Sequence, residues 1–553
     1  MNLNKKFVFI AVFVTILFIG SFLRLYKLSS FPVGFHIDEA SLGYNGYSLL
    51  MTGKDENNNR FPLYIDMFGD NRPSGYHYLT ILPIKMFGLS EFSTRLPGAF
   101  FGILTVFAIF FLTYVIFNDK KISLLSSLLI ALAPWHVNLS RASAETIVAL
   151  FFIILGFAFL IKSLRKIKIK YLILGSLMLF SSLFFYHTPR VFIPILFLTL
   201  LFFFRNERKN LNKRYKTFVI LAFLFISISS SALVFLVNGG SGRFSQVNIF
   251  GYPETKLVME EQIREDGVSG TAPLVTRFFH NKGINYFLTY VANYFDYFSG
   301  NFLFIKGGLP IWYVVPNMGL LYLVELPFIL FGIFLLLFDK DKTHKIPLLW
   351  LILSPIVAAL TVDDIPNIQR AIVMFPALEI IAAYGFIQFF NKVFRHKKVL
   401  LSICIILFIF NISYFLHQYF VHAKVHKPWY RDNGFAEMLQ IVRKSYNDYD
   451  KIIVTKSVGG MYPLVLFYMQ YNPLVYQSEG SPKDKEYSGF GKFFFVPMDC
   501  PSIQKDGRFP KVKRTIYIDR GNCPGENSKE VIIYKEDKTK AFRIVYGNSV
   551  EKK

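Results

Sequence analysis

Residues 5–47, KKFVFIAVFVTILFIGSFLRLYKLSSFPVGFHIDEASLGYNGY, run from a lysine pair through an apolar stretch long enough to cross a bilayer and straight into an acidic loop. The lysines hold the amino terminus on the cytoplasmic side by the positive-inside rule, so the loop emerges on the other face. Phe7 to Leu25 shows no clear small-x-small cleavage site before Arg24 and reads as a retained anchor, with a signal peptide as the alternative. Asp38 and Glu39 then stand at a membrane border, where ionisable groups are tolerated only in water or a polar cavity. Such carboxylates can accept a proton or bind a metal. The competing reading makes Asp38 the cap of an interfacial helix, with both acids favoured by its positive end.

The rest of the chain repeats the apolar pattern. With 53% hydrophobic residues, 63 phenylalanines and a mean hydropathy of +0.39, its 553 residues are too apolar for a solvated globule. Apolar runs at 7–25, 97–117, 122–139, 146–164, 171–187, 190–204, 217–237, 318–338, 346–362, 371–390 and 399–417 predict about eleven spans. The net charge of +24 comes from basic clusters between them: Lys5-Lys6, Lys120-Lys121, Arg165 to Lys170, Arg205 to Lys216, Lys340 to Lys345 and Lys392 to Lys398. All fall on one face if the amino terminus is cytoplasmic, which explains the charge by topology and disfavours nucleic acid as a partner. The opposite face receives loops 26–96 and 238–317 and everything after 417. Residues 418–553 alternate turn residues with β-rich runs such as Lys451 to Val454, Phe493 to Val496, Thr515 to Ile518 and Val531 to Tyr534, with a helix near 434–446. The fold expected is an all-α polytopic membrane domain over 1–417 and a small extracytoplasmic α/β domain over 418–553. Of the three cysteines, only Cys500 and Cys523 lie outside apolar runs, which excludes a cysteine-built zinc site and leaves room for one disulfide.

Arginines on the outer face oppose the insertion bias, and each asks for a reason. Arg72, Arg141, Arg190 and Arg370 lie there beside carboxylates, prolines or serine, and together they suit one anionic ligand, because guanidinium forks recognise phosphate. Singly, each is explained as well by an ion pair or by snorkelling. Glu145 follows Arg141 by four positions, which on one helix puts both on one face. His36, His77, His136 and His187 also lie outward, without paired metal-ligand spacing, so a divalent metal is open but unsupported.

The segments HIDEASLGYNGY, DNRPSGYHYL, GLSEFSTRLPGAFFGIL and PWHVNLSRASAETIVALFF, in this order, resemble the amino-terminal half of integral-membrane glycosyltransferases of the GT-C class. The likeness is to the protein O-mannosyltransferase and aminoarabinose-transferase group (family 39-like) and covers residues 7–200. The positions that carry it are Asp38-Glu39 with Gly43, Arg72-Pro73, and Ser140-Arg141 with Glu145. The chain departs from that pattern in having Pro73-Ser74 instead of consecutive prolines, and Glu145 instead of the aspartate of the mannosyltransferases. The resemblance implies an inverting transfer of a sugar from a polyprenyl-phosphate donor to an acceptor hydroxyl on a lipid, glycan or protein, outside the cell membrane. Asp38 would be the base, Glu39 and Glu145 would shape the acceptor pocket, and Arg72, Arg141, Arg190 and Arg370 would bind donor phosphate. The rival is a lipid-linked sugar flippase or ion-coupled transporter, for which Glu325 and Glu379 lie inside apolar runs beside Pro327 and Pro376.

The charge alternation makes a direct prediction. In intact cells an impermeant thiol reagent labels a cysteine placed at Ser241 or Ser481 and spares one at Asn210; labelling at Asn210 would reverse the orientation.

Overall fold

The computed structural model describes residues 3–547 apart from 68–69, 206–211, 236–247, 252, 393–395, 458, 460, 481–484, 486–487, 505–513 and 526–529. The labelling positions Asn210, Ser241 and Ser481, half of the basic loop Arg205 to Lys216, and the first part of loop 238–317 lie outside the described residues.

Helix α1 (Leu3–Leu25) is followed by a short outer helix α2 (Ile37–Thr52), a hairpin of β1 (Tyr64–Met67) and β2 (Asp70–Pro73), and α3 (Gly75–Phe87). The bundle continues with α4 (Glu91–Phe117), α5 (Lys120–Leu132), α6 (Pro134–Arg141), α7 (Glu145–Lys166), α8 (Ile169–Ser182), α9 (Pro189–Phe203) and α10 (Lys213–Phe235). Three outer helices follow, α11 (Pro253–Val268), α12 (Pro273–Phe279) and α13 (Lys282–Asp296). The chain then re-enters the bundle through α14 (Leu326–Leu337), α15 (Ile346–Leu353), α16 (Pro355–Ala358), α17 (Phe375–Lys392) and α18 (Lys397–Phe420).

Eleven apolar runs do not become eleven spans. Among the described residues six helices are long and apolar enough to cross a membrane, and a seventh span arises if α5 and α6, bent by 54° at Ala133-Pro134, are counted together. The runs at 171–187, 190–204 and 318–338 yield shorter helices, Ile169–Ser182, Pro189–Phe203 and Leu323–Leu337, and the run at 346–362 breaks at Pro355. Hydropathy does not register where a helix stops. Proline removes the amide that would continue the ladder, and here Pro134, Pro189 and Pro355 each begin a new helix.

Buried polar groups hold the bundle where helix ends meet inside it. Arg24 donates from Nη1 to Gly20 O and Ala131 O at 2.9 and 3.1 Å and from Nη2 to Ile130 O at 3.1 Å, closing the carbonyl end of α5. Glu325 and Glu379 are both buried, and Trp135 Nε1 donates to Glu379 Oε1 at 3.3 Å, which ties α17 to α6.

The carboxy-terminal region opens with α19 (Phe435–Ser445) and carries one six-stranded mixed sheet, in spatial order β4 (Gly489–Phe490), β5 (Phe493–Val496), β3 (Lys451–Thr455), β6 (Thr515–Arg520), β8 (Lys540–Tyr546), β7 (Glu530–Tyr534). Central β3 pairs parallel with β5 and β6, and its residues 452–455 are fully buried, as a parallel strand covered on both faces requires. A disulfide joins Cys500 and Cys523. Two short helices, α20 (Tyr462–Tyr468) and α21 (Pro473–Ser478), turn this region toward the bundle. Their target is α2: Phe35 packs on Phe467 with ring centroids 4.6 Å apart, and Tyr44 donates to Tyr471 O at 3.1 Å. A Cβ on Gly43 would stand 2.5 Å from Thr94 of α4 and 2.6 Å from Phe467, so α2 is clamped between the bundle and the sheet region at a distance only glycine allows.

Close helix packing inside the bundle is equally specific. At Gly385 a Cβ would fall 2.0 Å from Phe328 O, so α14 and α17 touch backbone to backbone, as small residues permit in membrane bundles. Gly385→Ala is expected to cost about 1–3 kcal/mol by overpacking, read as a lower thermal midpoint in detergent. Gly267→Ala, with nothing within 4 Å of the new methyl, is the control that leaves the midpoint unchanged or higher.

Candidate active site

The first turn of α2 sets the positions of Asp38 and Glu39. His36 caps the helix through Nδ1, which accepts from Asp38 N at 3.2 Å, while the Glu39 carboxylate accepts from His36 N at 3.4 Å, a reciprocal capping box with histidine in the serine position. Burial lowers the pKa of His36 below its ordinary value and leaves Nδ1 with the lone pair the cap needs, so its 3.7 Å approach to Asp38 is a polar contact between a neutral ring and a carboxylate. A helix does start at this loop, but its cap is His36 and not Asp38, which pairs with Arg72.

The two adjacent carboxylates have opposite surroundings. Glu39 points inward, 1% exposed, and accepts from Arg95 Nε at 2.9 Å, Arg95 Nη2 at 3.2 Å, Ser143 Oγ at 3.0 Å and Arg431 Nη2. Burial alone would raise its pKa, but Arg95 and Arg431 overcome that and hold it below the ordinary carboxylate value. With its lone pairs taken, Glu39 has nothing left to offer a substrate proton. Asp38, its side chain 12% exposed, instead meets a third arginine, with Oδ2 3.3 Å from Arg72 Nη1, and the same nitrogen lies 3.9 Å from Glu145 Oε1. Tyr313 is buried beside this group, its phenol pKa raised by burial and then by Asp38 and Glu145. Its neighbour Trp312 stacks on His36 with ring centroids 4.4 Å apart at 15°. Asp38, Arg72, Glu145 and Tyr313 thus form one acidic and cationic cluster contributed by α2, β2, α7 and the 311–313 turn. Arg72, a quarter exposed, is the cation that both carboxylates share.

The remaining arginines are placed elsewhere. Arg141 is fully buried and donates to four carbonyls at the end of α1: Leu23 O at 2.6 Å, Tyr26 O at 2.7 Å, Phe31 O at 3.2 Å and Lys27 O at 3.3 Å. It does not share a helix face with Glu145. Residues 142–144 break the helix, with Ser143 at φ +51°, so the i,i+4 spacing has no helix to act on. Arg190 donates from Nε and Nη2 to Leu183 O at 3.2 and 3.0 Å and lies over the Tyr64 ring. Arg370 donates to Thr361 Oγ1 at 2.8 Å and to the Asp363 backbone, with Nη2 3.6 Å from the Asp363 carboxylate. The structure therefore brings together Asp38, Arg72 and Glu145 from the residues singled out by sequence, puts Glu39 behind them, and engages Arg141 with backbone carbonyls, Arg190 with Leu183 O and His187, and Arg370 with Thr361 and Asp363. Sequence reasoning missed Arg95, Tyr313 and Arg431. Arg95 carried a legible signal, a cation opening an apolar run on the outer side; the other two sit in irregular segments with no periodicity to read. Among the described residues no three or more His, Cys, Asp or Glu side chains are grouped to hold a metal ion.

Residues 71–233 match the family model described as dolichyl-phosphate-mannose-protein mannosyltransferase. No curated protein matches the chain in sequence. Among solved structures the chain is similar to ArnT from Cupriavidus metallidurans bound to undecaprenyl phosphate, at 11% identity over 100% of this chain and 99% of that one, with a TM-score of 0.54. It is also similar to the Archaeoglobus fulgidus oligosaccharyltransferase tethered with an acceptor peptide containing the NVT sequon, at 13% identity over 85% of this chain and a TM-score of 0.52. The chain spans 64% of the length of that oligosaccharyltransferase. The resemblance to GT-C membrane enzymes read from the amino-terminal motifs thus extends to the architecture of the whole chain, a helical membrane bundle with a small strand-containing carboxy-terminal region.

The contrast between the two acids is testable in stability. Glu39→Gln leaves Arg95 and Arg431 buried against a neutral amide and is expected to destabilise the fold by about 3–5 kcal/mol, the range for breaking a buried ion pair from one side. Asp38→Asn is expected to leave the thermal midpoint nearly unchanged.

Proposed function

We propose that the chain is an inverting glycosyltransferase that moves a sugar from a polyprenyl-phosphate donor to an acceptor hydroxyl at the outer membrane surface, with Asp38 as the general base. The single observation that carries this reading is the opposite treatment of the adjacent carboxylates: Glu39 is held by two arginines and a serine, while Asp38 and Glu145 meet across Arg72. A transfer of this kind needs a base for the acceptor proton and a cation for the departing phosphate, and Asp38 with Arg72 supplies one of each. The acceptor hydroxyl would give its proton to Asp38 as its oxygen attacks the anomeric carbon. The phosphate would leave on the opposite side of that carbon, which inverts its configuration, and the new negative charge would fall to Arg72. Glu145, on the far side of Arg72, would fix the guanidinium and orient the acceptor. Arg141, Arg190 and Arg370 are retained as second-rank candidates for the phosphate, because each is already held by other groups of the chain, Arg141 by carbonyls, Arg190 by Leu183 O and His187, and Arg370 by Thr361 and Asp363.

The comparisons support the donor class: ArnT from Cupriavidus metallidurans, similar in fold to this chain over its full length, is bound to undecaprenyl phosphate, and the matching family model is named for a dolichyl-phosphate-linked sugar. The extracytoplasmic placement of the site rests on the charge alternation and on the Cys500–Cys523 disulfide, a bond that persists in oxidising compartments. The acceptor's class is left to experiment.

In proteoliposomes supplied with radiolabelled undecaprenyl-phosphate sugars, transfer of label to an acceptor supports the enzyme, whereas movement of intact lipid across the bilayer supports the flippase. Asp38→Asn is expected to lower turnover by about 10²–10⁴-fold, the usual loss on removing a positioned base, without loss of fold. Arg72→Lys is expected to recover only part of the activity lost in Arg72→Ala, since a point charge does not reproduce the guanidinium fork. Near wild-type transfer by Asp38→Asn would refute the assignment.

A further inference from the structure

The segment that leaves the last membrane helix, residues 428–433, touches the site helix at two points and the loop before it at a third. Asp432 Oδ2 accepts from Ile37 N, the first amide of α2, at 3.0 Å. Arg431 Nη2 binds the Glu39 carboxylate, and its Nη1 donates to Trp312 O at 2.7 Å. The backbone of Arg431 passes so close to Gly34, which sits at φ +79°, that a Cβ on that glycine would stand 2.2 Å from Arg431 O. One arginine thus joins two segments of the candidate site, the α2 turn that carries Asp38 and the 311–313 turn that carries Tyr313, while Trp312 closes the loop by stacking on His36.

We propose that Arg431 and Asp432 are positioning residues: the connection between the last membrane helix and the sheet region holds the first turn of α2 so that Asp38 meets Arg72 and Tyr313 in register. This rests on reading Asp38 as the reacting carboxylate. The physical reason is the amino-terminal end of α2. Its first amides have no partner within the helix, and a fully satisfied set fixes where the turn begins. His36 takes the amide of Asp38, Glu39 takes that of His36, and Asp432 takes that of Ile37, so the last of these donors is satisfied from a residue nearly four hundred positions away in sequence. Burial, opposed by the Ile37 amide and Arg431, pushes the Asp432 carboxyl up to about 7, so an asparagine oxygen at this position is a close stand-in for it. Loss of either is expected to act through the geometry of the α2 turn, where a displacement of about 1 Å costs up to about a hundredfold in rate.

The test uses the full-length protein in proteoliposomes with the undecaprenyl-phosphate sugar that the wild type turns over. Asp432→Ala and, independently, Gly34→Ala are expected to lower kcat by about tenfold to a hundredfold with donor KM within about twofold, while Asp432→Asn restores kcat to within about threefold of wild type. If Asp432→Ala does not fold, Asp432→Ser, too short to reach the Ile37 amide, carries the same expectation. Wild-type kcat in Asp432→Ala or Asp432→Ser together with an inactive Asp38→Asn overturns the positioning role and leaves the base in place. Loss of activity in Asp432→Asn equal to that in Asp432→Ala overturns it too, because charge rather than the accepting oxygen would then be what matters. An active Asp38→Asn removes both readings together.

Discussion

A carboxylate at 1% exposure cannot stay charged without partners, and everything around the site of this protein is arranged to give Glu39 its partners. Arg95 reaches it from α4, Ser143 from the turn before α7, and Arg431 from the connection to the sheet region. Arg95 does more than neutralise it. The same guanidinium donates to Leu28 O at 3.2 Å, Ser29 O at 3.1 Å and Gly34 O at 2.6 Å, gathering the irregular chain between α1 and α2 against α4. A single buried ion cluster therefore fixes the outer loop, the bundle and the carboxy-terminal region relative to one another.

That cluster explains why two adjacent acids differ in their surroundings. On a helix, successive side chains point about 100° apart, so a turn that buries Glu39 against Arg95 must turn Asp38 toward a different neighbour. That neighbour is the group of Arg72, Glu145 and Tyr313. Arg141 provides a second anchor of the same kind one layer deeper: by holding the carbonyls at the end of α1 it sets the point at which the chain leaves the membrane helix. Buried arginines here act as cross-braces between helix ends, where unsatisfied carbonyls are abundant and lipid offers no alternative donor.

The carboxy-terminal region is part of the same construction. Its helix α20 and the glycine at position 43 bring α2 into contact with both the sheet region and α4, and Gln477 Nε2 donates to Asp55 O at 2.9 Å to hold the loop after α2. Within the bundle, Glu325 and Glu379, the residues that gave the transporter reading its force, are both buried, Glu325 at the start of α14 and Glu379 bonded to Trp135 of α6.

The sequence by itself determined the class of protein, the position of the acidic loop, the resemblance to GT-C enzymes and the existence of a strand-bearing carboxy-terminal region, because these follow from hydropathy, charge and local spacing, all of which are properties of short stretches. It did not determine how many runs become spans, because proline and helix breaks at Ala133-Pro134 and Pro355 act on the backbone and leave hydropathy untouched. It did not determine the different surroundings of Asp38 and Glu39, nor of Arg72 and Arg141, because charge and expected outward position are the same in each pair. Only the tertiary structure decided those surroundings, through which carbonyls and carboxylates came within reach of which guanidinium. Arg431 lies 392 positions from Glu39, and no local pattern foretells that contact.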